Sequence, residues 1–216
     1  MRKEKRLDLL RQIDLYPVTC AALSAGRDNY QILDGILAGG AKIVQLREKG
    51  LPMADLFAMA QIFREKTTAA GVLFIVNDHI DLALAVGADG VHLGRDDFPL
   101  EPARQLAPDL IIGRSSHNLE QALEAESQGA DYVNIGPIYP TGTKPEHKVF
   151  LGPAAIGEIS PHLSIPFTVM GGINEGNIDA VVAAGARHIA VVTAVTKAPD
   201  VALAVRTLRQ KISPDC

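Results

Sequence analysis

The chain has 216 residues, 47% hydrophobic and 21% charged, which suits a globular fold and excludes a disordered or collagen-like chain. Its formal net charge is -4, only 5% of residues are aromatic and there is no Trp, so a duplex-coating or base-stacking nucleic-acid partner is not expected. Two cysteines, Cys20 and Cys216, without a CxxC pair argue against a disulfide scaffold or a Cys-based zinc site, and no apolar run approaches the roughly 18 residues of a membrane span.

The first residues, MRKEKRLDLLRQID, are basic at the start but lack an apolar h-region, so no secretory signal is read and the cytoplasm is the expected compartment. Leu7, Leu10 and Ile13 recur at helical spacing. They predict a short helix within residues 1–14 whose apolar face packs on the domain that follows. From there β-rich runs alternate with helix-period runs. Strands are predicted over 16–21, 42–46, 73–77, 90–93, 110–113, 132–135, 166–169 and 189–192. The segments between them, such as 53–70, 118–128 and 178–184, are rich in the good helix formers Ala, Leu, Glu and Gln. Eight strand–helix units and no Pro/Gly/Ser linker predict an α/β fold, a single-domain (β/α)8 TIM barrel over residues 15–216.

A second pattern supports this. Gly40-Ala41, Gly87-Ala88, Gly129-Ala130 and Gly185-Ala186 each follow a helical run and precede the second, fourth, sixth and eighth strands. Gly suits the left-handed position that ends a helix. An open doubly wound sheet would usually carry GxGxxG after its first strand, and none is present.

In such barrels the chemistry sits at the C-terminal ends of the strands and in the loops that follow. After the second strand stands Gln45-Leu46-Arg47-Glu48-Lys49, in which alternation puts Gln45, Arg47 and Lys49 on one side. Asn77-Asp78 follow the third strand, Gly94-Arg95-Asp96-Asp97 the fourth, and Ser115-Ser116-His117 the fifth. The sixth is followed by residues 136–144, ending Thr141-Gly142-Thr143-Lys144, the seventh by Gly171-Gly172-Ile173, and the eighth by Thr193. Arg and Lys suit phosphate oxygens. Two carboxylates on adjacent strands suit Mg2+, which takes one or two carboxylates with substrate phosphate and water. Gly171-Gly172 ahead of a helix lets backbone N–H groups approach a phosphate, with favourable charge from the helix N-terminus. The pattern reads as an Mg2+-assisted enzyme with two anionic sites. Taken singly, each piece has a plainer reading. Residues 47–49 could be a solvated run, Asp78 and Asp97 could be helix caps, and His79, His92 and His188 could be packing residues. The plain readings weaken because all these groups fall at strand C-terminal ends.

The blocks QLREK (45–49), ND (77–78), DGVHLGRDD (89–97), GADYVNIGPIYPTGTK (129–144) and GGI (171–173) resemble the thiamine-phosphate synthase family, in its order and over residues 16–210. The resemblance implies a (β/α)8 barrel that joins a pyrimidine methyl diphosphate to a thiazole phosphate, giving thiamine phosphate and pyrophosphate. It implies that Gln45, Leu46, Arg47, Glu48, Lys49, Asn77, Ser115 and Lys144 hold the pyrimidine diphosphate. It implies that Thr141, Gly142, Thr143, Gly172, Val192 and Thr193 hold the thiazole phosphate, and that Asp78 and Asp97 bind Mg2+. Arg47, Lys49, Lys144 and Ser115 are the expected catalytic groups, with Mg2+, Arg47, Lys49 and Lys144 neutralising charge on the departing pyrophosphate. The expected partners are these two small molecules, and the outer helices leave a homo-oligomer open.

Three places depart from the family pattern. Thr193 stands where Ser is common, Asn134 where Gly is frequent, and residues 145–148 differ in detail. Two other readings use the same barrel. One is a thiazole tautomerase, in which His117 would do acid–base work. The other is a non-catalytic phosphate-ligand barrel. The ND pair and the PTGTK run favour the synthase over both.

Overall fold

The computed structural model describes residues 2–142 and 149–213. Eight parallel strands pair in the order β1-β8-β7-β6-β5-β4-β3-β2. They are β1 (Leu15–Pro17), β2 (Ile43–Leu46), β3 (Leu73–Asn77), β4 (Gly90–Leu93), β5 (Ile111–Ser116), β6 (Tyr132–Ile135), β7 (Phe167–Val169) and β8 (Ile189–Val191). A parallel bridge between Val18 and Gln45, with the Thr19 N–H donating to the Gln45 carbonyl at 2.9 Å, joins β1 to β2 and closes the barrel.

The main helices between strands are α2 (Asn29–Ala38), α3 (Met53–Ala70), α4 (Ile80–Ala85), α5 (Leu100–Leu106), α6 (Leu119–Ser127), α7 (Ala154–Ile159) and α8 (Ile178–Ala183). A single turn, α9 (Thr193–Thr196), follows β8, and α10 (Val201–Ile212) completes the ring. Among the described residues no helix is long and apolar enough to cross a membrane.

Two strand boundaries differ from the expectation by more than one residue, each for a physical reason. β1 stops at Pro17 because the backbone then changes partner, Val18 N–H pairing with Val191 and Thr19 N–H with Gln45, before the turn at Ala21–Leu23. β5 runs on to Ser116 because its pairing with β6 continues through Ser115↔Asn134 and Ser116↔Ile135.

The strand period of two sorts the core. Val44, Leu46, Phe74, Val76, Val91, Leu93, Ile112, Val133 and Ile135 point outward into the apolar layer under the helices. Tyr16, Ile43, Leu73, Ile75, Ile111, Tyr132 and Ala190 form a separate cluster inside the barrel. Leu10 and Ile13 join that inner cluster from below, where α1 (Lys3–Leu10) contacts β3 and β5. The four Gly-Ala pairs end helices as their spacing suggests. Gly40, Gly87, Gly129 and Gly185 have φ of +81°, +64°, +91° and +104°. In each case the following Ala N–H reaches the carbonyl five residues back, as in Ala88 to Ala83 at 2.9 Å, which is the Schellman closure.

Candidate active site

The strand C-terminal ends surround a cavity. Alternation carries Gln45, Asn77, His92, Ser115 and Asn134 to its polar side, on five consecutive strands. Val18, Met170, Ile173 and Val192 form an apolar wall, and Arg47, Thr141, Gly172 and Thr193 complete the lining. Gln45, Arg47, Asn77, Ser115, Thr141, Gly172, Val192 and Thr193, all expected from sequence, therefore share one cavity.

The run after β2 divides in two. Gln45 and Arg47 line the cavity; the Leu46 side chain is buried under the helices, and Glu48 Oε1 accepts from the Ala21 N–H at 2.5 Å. Those last two thus face away and leave only their backbone to a ligand. Arg47 is held from two sides. Its backbone N–H donates to Thr19 Oγ1 at 3.1 Å and its Nη1 to Cys20 Sγ at 3.7 Å. Cys20 is buried against Val18 and Val192. Lys49 is exposed, and its Nζ lies 2.7 Å from Asp78 Oδ2.

Asp78 is no helix cap: α4 begins after His79, without a side-chain cap. It is the centre of a three-residue turn closed by the His79 N–H on the Asn77 carbonyl at 2.8 Å, with φ +64°. A non-glycine residue in that region carries backbone strain, a feature that concentrates at functional sites. Asp97 Oδ2 accepts from the Gly94 N–H at 2.6 Å, which orients it within its own turn. Burial first, then a hydrogen bond and charge repulsion from Asp78, push the Asp97 carboxyl above the usual carboxylate range. Two carboxylates facing each other call for a shared proton or a cation. Among the described residues no group of three or more His, Cys, Asp or Glu stands ready for a metal. An oxygen-only pair completed by substrate phosphate and water fits Mg2+.

On the opposite side the loops after β6 and β7 interlock. The Ile138 N–H donates to the Met170 carbonyl and the Tyr139 N–H to the Gly171 carbonyl, both at 2.9 Å. Gly171 has φ +110°, and a Cβ there would stand 2.5 Å from Pro137 Cβ. Gly172 has φ +63°, and a Cβ there would collide with the Pro140 carbonyl oxygen. Both glycines are thus required twice, by backbone angle and by close approach. The helix after them starts at Ile178, as expected, and an Asn174–Asn177 turn bonded to the Gly172 carbonyl separates it from the two glycines. Val192 and Thr193 lead into α9, with the Thr196 N–H on the Val192 carbonyl at 2.9 Å. A phosphate site between the seventh and eighth loops beside a short extra helix recurs in barrels of this type. Gly142 is exposed at the edge of the described chain, while Thr143 and Lys144 lie outside the described residues.

The inward faces also hold groups that the loop inventory passed over. Tyr16 and Tyr132 are buried beneath the cavity and are linked by hydrogen bonds to each other and to His92 in its wall. Strand alternation could have placed Tyr16 two residues below Val18 and Tyr132 two below Asn134, but not brought their hydroxyls together. Asn134, the position where glycine is frequent in the family, fills part of the cavity floor, and its Oδ1 accepts from Thr168 Oγ1 at 2.9 Å. His117 lines the cavity with its Nδ1 on the Gly136 carbonyl.

Comparison with known proteins agrees with this geometry. Residues 15–195 match the family model for thiamine monophosphate synthase. A thiamine-phosphate synthase of Methanospirillum hungatei is 50% identical over 193 residues, covering 89% of this chain and 94% of that protein. One of Chloroflexus aurantiacus is 46% identical over 199 residues, covering 92% of each. Among solved structures, a thiamine phosphate pyrophosphorylase of Pyrococcus furiosus superposes with a TM-score of 0.86 at 38% identity, over 94% of this chain and 96% of that one. With fold and relatives in agreement, the chain belongs to the thiamine monophosphate synthase family and is a transferase of thiamine biosynthesis.

Proposed function

We propose that the cavity binds a pyrimidine methyl diphosphate and a thiazole phosphate side by side and couples them to thiamine phosphate and pyrophosphate. The observation that carries this reading is the grouping of two anion-binding edges around one cavity. Arg47 lines the cavity, with Lys49 and the Asp78/Asp97 pair beyond its lining on the loops after β2, β3 and β4, and Thr141, Gly172 and Thr193 line it as well.

The diphosphate is assigned to the first edge. Arg47 grips its oxygens, Lys49 adds a mobile charge, and Lys144 joins them on the strength of the family resemblance. Gln45, Asn77 and Ser115 hold the pyrimidine end, with backbone contributions from Leu46 and Glu48. The thiazole phosphate is assigned to Thr141, Gly142, Thr143, Gly172, Val192 and Thr193, where hydroxyls and backbone N–H groups are the donors. Thr193 keeps the hydroxyl that Ser would supply. Mg2+ held by Asp78 and Asp97 would neutralise negative charge on the diphosphate.

The bond from the pyrimidine methylene carbon to the diphosphate oxygen breaks first, its electron pair leaving with pyrophosphate. The lone pair of the thiazole nitrogen then forms the new carbon–nitrogen bond. Charge develops on the leaving group, beside Arg47 and Lys49, so these side chains stabilise the transition state more than the ground state. No nucleophilic side chain and no general base is needed. The apolar wall of Val18, Met170, Ile173 and Val192 excludes water that would otherwise capture the cation. Holding both substrates in one cavity replaces a bimolecular encounter by a positioned one.

A coupling assay tests this reading. The purified protein is mixed with both substrates and Mg2+, and thiamine phosphate is followed by fluorescence after oxidation. Thiamine phosphate and pyrophosphate in equal amounts are expected. A folded protein that yields neither would refute the assignment and favour the tautomerase, with the thiazole carboxylate phosphate as the next substrate to try.

A further inference from the structure

Beneath the cavity five side chains form one continuous hydrogen-bonded line across the barrel. Gln45 Nε2 donates to the Tyr16 hydroxyl at 2.9 Å. The Tyr16 and Tyr132 hydroxyls are 3.1 Å apart. Tyr132 Oη lies 3.0 Å from His92 Nδ1, and His92 Nε2 lies 3.0 Å from Ser115 Oγ. The line begins on β2, passes through β1, β6 and β4, and ends on β5. Tyr16 and Tyr132 are buried below the cavity, and Gln45, His92 and Ser115 line it.

Proton counting gives the line a direction. A tyrosine hydroxyl has one proton. Tyr16 receives a hydrogen bond from Gln45, so its own proton goes on to Tyr132. Tyr132 in turn must donate to His92 Nδ1, which therefore carries no proton. The imidazole proton then sits on Nε2 and is donated to Ser115 Oγ, and the Ser115 hydroxyl proton is left for the cavity. At the other end Gln45 gives one of its two amide N–H groups to Tyr16, which fixes the orientation of the amide, and offers Oε1 as an acceptor. Burial raises both tyrosine hydroxyls above their ordinary range, so both keep the protons the line requires. The tyrosines are also held sterically. Their rings meet edge-on at 6.2 Å, and a Cβ at Gly113 would collide with the Tyr132 ring.

We propose that Tyr16, Tyr132 and His92 are positioning residues that fix Gln45 as an acceptor and Ser115 as a donor, so that the cavity selects a ring bearing an amino group beside a ring nitrogen. This rests on the pyrimidine assignment above and adds the device that sets its polarity. A ring carrying an oxo group beside an N–H presents the reverse pattern and leaves both ends mismatched, a situation in which buried polar sites discriminate strongly.

The first test needs no substrate, so it can fail independently of the functional reading. Nitrogen-15 NMR of the ligand-free protein should show His92 as the neutral, Nε2-protonated tautomer. An Nδ1-protonated His92 would overturn the proposal. The second test uses Tyr132→Phe, which keeps the ring in its slot and removes only the hydroxyl. In this variant kcat/KM for the pyrimidine diphosphate should fall roughly tenfold, the size of one lost buried partner. Preference for the amino substrate over its 4-oxo analogue should narrow by a similar factor, and KM for the thiazole phosphate should stay unchanged. Tyr16→Phe should behave alike. If wild type couples the substrates and both folded variants match it in rate and preference, the relay has no positioning role. If wild type itself fails to couple the substrates, the pyrimidine reading falls and takes with it the selectivity claimed here.

Discussion

The two ends of the barrel use aspartate in opposite ways. At the lower end Asp14, Asp89 and Asp131 stand immediately before β1, β4 and β6, and each is neutralised. Asp89 meets Arg6 at 3.2 Å and Arg64 at 2.8 Å, and accepts the Phe74 N–H at 3.0 Å. Asp14 meets Arg209 at 2.8 Å and accepts the Leu15 N–H at 2.6 Å. Asp131 takes Arg104 and Lys3, and the Ile112 N–H at 2.8 Å. These carboxylates knit strand starts to α1, α3, α5 and α10. At the upper end Asp78 is met by the exposed Lys49 at 2.7 Å yet also faces Asp97, one carboxylate on a strained backbone and the other with its proton held unusually tightly. The difference teaches that paired charge builds the scaffold here, while juxtaposed like charge marks the site where a cation belongs.

The contrast can be broken most severely from below. Asp89→Ala leaves Arg6 and Arg64 without their shared carboxylate in a buried setting, and the expected loss is about 3–5 kcal/mol of stability; chemical denaturation reads it directly. From above, Arg47→Ala should lower kcat by about 10²–10³, on the order of 2.7–4 kcal/mol in transition-state energy, with little change in the melting midpoint. A variant that turns over normally would remove Arg47 from the diphosphate edge. Chelation with EDTA should abolish turnover and added Mg2+ restore it; full activity in EDTA would exclude the Asp78/Asp97 metal site.

A smaller effect isolates the backbone. Gly87 has φ +64° and open space around its Cβ position, so Gly87→Ala should cost about 1–2 kcal/mol through the left-handed angle alone, without touching activity. The smallest effect concerns pH. The folded protein holds the Asp97 proton more tightly than the unfolded chain does. In metal-free protein this carboxyl therefore favours folding at acid pH, and the contribution is lost as pH rises through its raised folded value. Asp97→Asn should flatten that slope in a pH series of thermal melts.

Much of this is legible in the sequence. Strand alternation and the Gly-Ala pairs foretold the barrel, because a left-handed helix stop followed by an apolar run is a local signal. The strand-end polar residues foretold the cavity, because position on a barrel strand sets which side chains converge. What escaped was of two kinds. Alternation already set Gln45 and Arg47 apart from Leu46 and Glu48, but the anchoring of Glu48 on the Ala21 N–H is a contact that only tertiary structure reveals. The Tyr16–Tyr132–His92 line and the Asp14, Asp89 and Asp131 pairs join residues up to 195 positions apart, and no local pattern encodes such meetings.

The most direct test of the division between the two ends is a matched pair of variants. Asp97→Asn and Asp89→Asn each remove one carboxylate charge, and each is measured for coupling rate with Mg2+ and for melting midpoint in EDTA at neutral pH. Asp97→Asn should lose coupling yet melt at or above the wild-type midpoint, while Asp89→Asn should melt well below it. The reverse pattern, with Asp97→Asn active but destabilised and Asp89→Asn as stable as wild type, would contradict it.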